Sequence, residues 1–244
     1  MVRGAPDDSN VVKQGDVFRL DDMAELAVRL GSMVRYNRDG TVMFWDDFEK
    51  GMAKWTVLTT GAGGGGIIDG SYALSGNQSV RLTPGTDSTK TASINKGVAI
   101  LPRGGWGLGF AFSGQTFFYQ VRFTLAVVDA GYVWYYTGYY NDHTGKLTVS
   151  DAGGTTQEIG EPGEQSYDYK LFHQVKMVID TENQEYVGVY FDDVFYPATG
   201  IKPKSVVYPY AHSILITLEV TGDHGSDEAM YVDDVVLTQG EYIP

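Results

Sequence analysis

The sequence predicts an all-β fold, an antiparallel sandwich or barrel preceded by a polar arm and one short α-helix. Three observations carry this. From about residue 33 the apolar residues recur with a period of two, turn clusters separate the alternating runs, and helical spacing occurs near the amino terminus alone. FFYQVRFTLAVV puts Phe117, Tyr119, Val121, Phe123, Leu125 and Val127 on one face. HQVKMVID does the same with Val175, Met177 and Ile179, and SILITLEV with Ile214, Ile216, Leu218 and Val220. These are the patterns of half-buried strands. TGAGGGG, TPGTDST, NDHTG, DAGG, TENQ and TGDHGSDE lie between such runs and supply turns.

Residues 1 to about 15 read as a flexible arm, rich in charge with early Gly, Pro and Asp. In DVFRLDDMAELAVRLGSM, Leu20, Met23, Leu26, Ala27 and Leu30 recur at helical spacing, Asp21 or Asp22 can cap the start, and Gly31 can close the end. A helix this short needs a docking surface. The expected organisation is therefore an arm with a helix over residues 1–40 and one β domain over residues 41–244. Gly63 to Gly66 are followed by no Lys or Ser/Thr in the phosphate-loop pattern, so the run is expected to be a flexible loop.

Composition limits the partners. With 31 acidic and 18 basic residues the formal net charge is -13, and no basic stripe offsets it, which argues against nucleic acid. The absence of Cys removes disulfides and zinc–thiolate sites. No apolar run reaches membrane-spanning length, and MVRGAPDDSNVVKQGDVFRL lacks the apolar centre of a signal peptide. Synthesis in the cytoplasm and no membrane partner are the expectations.

Four segments carry a resemblance. FWDDFEKGMAKW (44–55) has an acidic-Phe-Glu element before a Gly and a Trp. LSGNQSVRL (74–82) is a small-residue turn followed by a strand, and MYVDDVVLT (230–238) reads as a closing strand. FHQVKMVIDTENQEYVGVYFDDVFY (172–196) is a strand–hairpin–strand run. Together they resemble the concanavalin A-like lectin and glucanase group and its related carbohydrate-binding modules, over roughly residues 41–240. The resemblance implies an antiparallel jelly-roll β-sandwich with paired first and last strands. It also implies a structural calcium joining those strands, with Asp47 or Glu49 and Asp233 or Asp234 as ligands.

The glucanases of this group carry Glu-x-Asp-x-x-Glu, and here no Glu is followed two positions later by Asp. The adjacent acids Asp46/Asp47, Asp192/Asp193 and Asp233/Asp234 are expected to point to opposite strand faces or to lie in turns, so no pair flanks one glycosidic bond. His143, His173, His212 and His224 show no metal-ligand spacing, and no G-x-S-x-G elbow is present. The expectation is that the protein is not an enzyme.

The candidate binding surface is GYVWYYTGYYNDHTG (131–145). Alternation sends Tyr132, Trp134, Tyr136 and Tyr140 to one face and Val133, Tyr135, Thr137 and Tyr139 to the other. Both faces are aromatic, so one set enters the core and the other is available for stacking on sugars or on another protein. The first set is the candidate surface, with Asn141, Asp142 and His143 as polar groups at its rim. Three functions follow in order of expectation. The first is a structural or assembly protein, such as a virion-surface, capsid-decorating module that self-associates or attaches through its arm. The second is a carbohydrate-binding module, and the third a glycoside hydrolase or lyase.

Overall fold

Two antiparallel sheets are stacked face to face in the computed structural model, which describes residues 40–85, 90–114, 118–164, 171–222 and 229–243. The predicted arm and helix, and His224, lie outside these residues. The first sheet runs in the order β13 (Val194–Pro197), β12 (Glu185–Phe191), β11 (His173–Asp180), β6 (Gly105–Gly114), β16 (Met230–Gln239), β4 (Ser79–Thr83) and β3 (Gly65–Asp69). Strand β1 (Thr41–Asp46) also pairs with β16. The second runs β10 (Thr156–Gly160), β9 (Lys146–Ser150), β8 (Tyr132–Asn141), β7 (Gln120–Asp129), β15 (Ser213–Thr221), β5 (Thr91–Val98) and β2 (Thr56–Thr59). Here β14 (Lys204–Val207) also pairs with β8.

The period-two faces become the core. Val121, Phe123, Leu125 and Val127, with Ile214, Ile216, Leu218 and Val220 of β15 and Val175, Met177 and Ile179, are all buried between the sheets. Strand β6 shows the division of labour most sharply. Trp106, Leu108, Phe110 and Phe112 point inward, and Gly105, Gly107, Gly109 and Ala111 alternate with them. The small residues leave room for the chain's last turn. Glu241 lies over them and forms a buried ion pair with Lys176 at 2.8 Å, and the Thr238 hydroxyl donates to the same carboxylate. A Cβ on Gly107 would meet Thr238, Glu241 and Lys176 at once, so only glycine fits there.

The first and last strands pair, from Thr41 opposite Gln239 to Asp46 opposite Val235. One edge of β16 thus changes partner along its length, from β4 at Met230–Val232 to β1 at Val235–Gln239. A bulge at Asp233–Asp234, with Asp234 at φ 53°, makes the change. One edge of β8 changes partner too, from β14 at Tyr132–Tyr135 to β9 at Gly138–Asn141. The amide of Thr137 falls in the gap between them and donates instead to the Tyr186 hydroxyl of the opposite sheet (2.8 Å), which in turn donates to the Ser150 carbonyl (2.9 Å).

The glycine run departs from the expected flexible loop. Gly63 lies in a turn at φ 80°, but Gly65 and Gly66 open β3, where a Cβ at Gly66 would press on Leu82 and Val57, so the second half of the run is strand.

Candidate binding groove

Of the aromatic set chosen from the sequence, Tyr136 and Tyr140 are 1% and 0% exposed and belong to the core. Their hydroxyls donate to the carbonyls of Asp180 (3.2 Å) and Gly163 (2.9 Å), which answers the need of a buried Tyr for a partner. Trp134 packs partly against the same core, and Tyr132 is exposed beside it with ring centroids 5.6 Å apart. The rim residues serve the turn. Asn141 Oδ1 accepts from the backbone and the hydroxyl of Thr144 (3.0 and 3.1 Å), Asp142 is buried, and exposed His143 packs its ring edge on Tyr119. The set containing Tyr136 and Tyr140 is therefore the inward one, and the outward surface passes to the alternate set.

Tyr135, Thr137 and Tyr139 of that alternate set line a groove of about 510 Å³ on the outer face of the second sheet, within the usual range for small-ligand sites. Its floor is a row of threonine hydroxyls, continued beyond the groove by one amide. Register places Thr137, Thr124, Thr217 and Asn95 side by side across β8, β7, β15 and β5. Thr124 and Thr137 share a 3.1 Å hydrogen bond, and Thr217 donates to Asn95 Oδ1 at 2.7 Å. Tyr135 and Tyr139 flank this floor on β8, four residues and hence roughly 13 Å apart along the strand. The Tyr186 bridge lies under Thr137 and so fixes the floor where β8 lacks a strand partner.

Charge enters at both ends. Arg122 stands opposite Tyr139 and opposite Glu219, and its guanidinium donates to Glu219 Oε2 at 2.9 Å. Arg122 Nε is buried without a partner. Burial pushes the Glu219 carboxyl up, opposed by Arg122, and burial likewise raises the Tyr139 hydroxyl. Lys204 stands opposite Tyr135. Arg122, Glu219 and Lys204 were not singled out from the sequence. Their one signal was a charged residue at a polar position of an alternating strand, which does not reveal that three distant strands align them.

Three of the four predicted metal ligands, Glu49, Asp233 and Asp234, bind the 74–78 loop, and Asp47 stays on its own turn. Asp233 Oδ2 accepts from the amides of Leu74 (2.8 Å) and Ser75 (3.1 Å), and Asp234 Oδ1 accepts from the Ser75 hydroxyl (2.6 Å). Glu49 Oε1 accepts from the amides of Asn77 and Gln78, both at 2.7 Å, and Asp47 Oδ1 from that of Glu49 at 3.2 Å. The positive φ at Asp234 overrides strand alternation, so adjacent acids expected on opposite faces address the same loop. Burial and the neighbouring Asp234 push Asp233 up to about 7, and burial, with Asp47 adding to it, pushes Asp234 up to about 6. Asp234 Oδ2 is buried and unpartnered. Among the described residues no three acidic or histidine side chains converge to hold a metal ion. A cation would fit here only with backbone carbonyls completing its shell.

No family model matches the sequence, and no curated protein matches it. Solved structures do. A protein of unknown function with a galectin-like fold from Bacillus subtilis superposes with a TM-score of 0.54 at 11% identity, covering 84% of this chain and 98% of that one. The potassium-bound carbohydrate recognition domain of Emp46p gives 0.52 at 13%, covering 81% and 94%. The fold is a lectin-type jelly-roll β-sandwich. A sialidase gives 0.51 at 11%, covering 85% of this chain, which spans only 19% of the sialidase.

Proposed function

We propose that the protein is a non-catalytic carbohydrate-binding module whose site is the outer groove of the second sheet. The observation that carries this is the floor of Thr124, Thr137 and Thr217 beside the rings of Tyr135 and Tyr139. Hydroxyl and amide groups can exchange hydrogen bonds with sugar hydroxyls, and the flat ring faces suit the apolar faces of pyranoses. The lectin-type fold, shared with the Emp46p domain, supports the reading. The assembly reading ranked first from the sequence gives way to this one. It rested on attachment through the arm and helix, which lie outside the described residues, whereas the lectin-type fold neighbours favour the sugar reading. Binding to arrayed glycans by the wild type, lost in a Tyr135→Ala, Tyr139→Ala double variant of unchanged stability, tests the proposal.

A second reading concerns the bulge of β16. The buried, unpartnered Asp234 Oδ2 beside a second carboxylate favours a structural cation there, calcium by the hardness of its oxygen ligands. A melting temperature unchanged by added calcium and by EDTA would remove it.

A further inference from the structure

The charges of the groove bear on which class of glycan it takes. Arg122 lies in the Tyr139 row and Lys204 in the Tyr135 row, so each flanking ring has a cation as its cross-strand neighbour, one at either end of the threonine floor. The acid in these rows, Glu219, is engaged by Arg122, and burial works against its ionisation. Lys204 forms no ion pair among the described residues, and the Arg122 side chain stays 39% exposed beside its ion pair. In a chain of net charge -13 this groove is a local inversion of sign. Two separated cations beside two stacking rings match a ligand that carries carboxylates at intervals along a chain of sugar rings.

Building on the glycan reading, we propose that the ligand is an acidic oligosaccharide, a chain containing uronic acid units, whose carboxylates meet Lys204 and Arg122 while Tyr135 and Tyr139 stack on its rings. The neutral floor of threonines reads the hydroxyls between the charged units, and the cations select against chains that lack them. Because charge-assisted hydrogen bonds are stronger than neutral ones, the discrimination is expected to reach about tenfold.

The test is titration calorimetry of the full chain with a panel of galacturonate, glucuronate and mannuronate oligosaccharides, each set against its neutral counterpart of equal length. The expected result is about tenfold tighter binding of at least one acidic chain, weakening as salt is raised. Lys204→Gln and Arg122→Gln should each weaken acidic binding far more than neutral binding, so that most of that preference is lost. Arg122→Gln also strips Glu219 of its partner, so if it fails to fold, Lys204→Gln on exposed β14 decides. Neutral chains binding as well as acidic ones, or an acidic preference untouched by Lys204→Gln, would overturn the acidic class and leave the glycan reading standing. Silence across the whole panel, acidic and neutral, would overturn both.

Discussion

Tyr186 reaches across the sandwich and stands in for a strand partner that β8 lacks at Thr137. Removing its hydroxyl leaves the Thr137 amide and the Ser150 carbonyl buried without their partner. Tyr186→Phe should therefore lower stability by about 1–3 kcal/mol, read as a fall in denaturant midpoint, far more than a ring of equal shape would otherwise cost. The same residue shows where the sequence stops informing. Alternation correctly sorted residues 132–140 into two sets, and Val121, Phe123 and Leu125 correctly named the inner face of β7. With aromatic rings in both sets of β8, however, nothing local said which set faced inward. The register of β8 against β7 decides it, placing Tyr136 opposite Leu125 and Tyr140 opposite Val121. Groups that the groove draws from β7, β14 and β15 become neighbours only through such pairings, as in the Arg122–Glu219 contact across 97 positions.

At the scale of the element, β16 carries the molecule's most exposed tension between charge and burial. The folded-state values near 7 for Asp233 and near 6 for Asp234 lie above the roughly 3.9 of a solvated Asp. Between about pH 4 and pH 7 the folded chain thus holds protons that the unfolded chain has released, so these groups make stability fall as pH rises through that window and level off above it. In EDTA, Asp234→Asn should flatten this fall and gain on the order of 2 kcal/mol near pH 7.5, measured by chemical denaturation. If a cation is held at the bulge, calcium should raise the wild-type melting temperature more at pH 7.5 than at pH 5, and the variant should lose that response. The closing strand itself was legible from MYVDDVVLT. The bulge was not, because a positive φ at a non-glycine residue leaves no mark in an alternating pattern.

Strand β6 offers a second element-scale expectation. Its run of small outward residues accommodates Glu241, whose carboxylate is the buried partner of Lys176. Glu241→Ala should cost about 3 kcal/mol, because it strands a buried ammonium, whereas exchanging both partners for apolar residues should cost much less. Thermal melts of the single and double variants separate the two.

Taken as a whole molecule, the fold was legible from the sequence because its determinants are periodic and spread along the chain. The pairing of β1 with β16 and the hairpin of β11 and β12 followed from a few short segments. The site was not, because it is a property of one sheet surface assembled from β5, β7, β8, β14 and β15. The calorimetry proposed for Lys204 and Arg122 addresses which sugars the groove selects, and a simpler measurement addresses whether it binds sugar at all. A glycan array probed with the wild type and with the Tyr135→Ala, Tyr139→Ala double variant, both checked for equal melting temperature, is the most direct. The account predicts a defined glycan signal from the wild type that falls by at least about tenfold in the variant, since each stacked ring contributes on the order of 1 kcal/mol. A signal that survives both substitutions, or a wild type that binds no glycan, would contradict it.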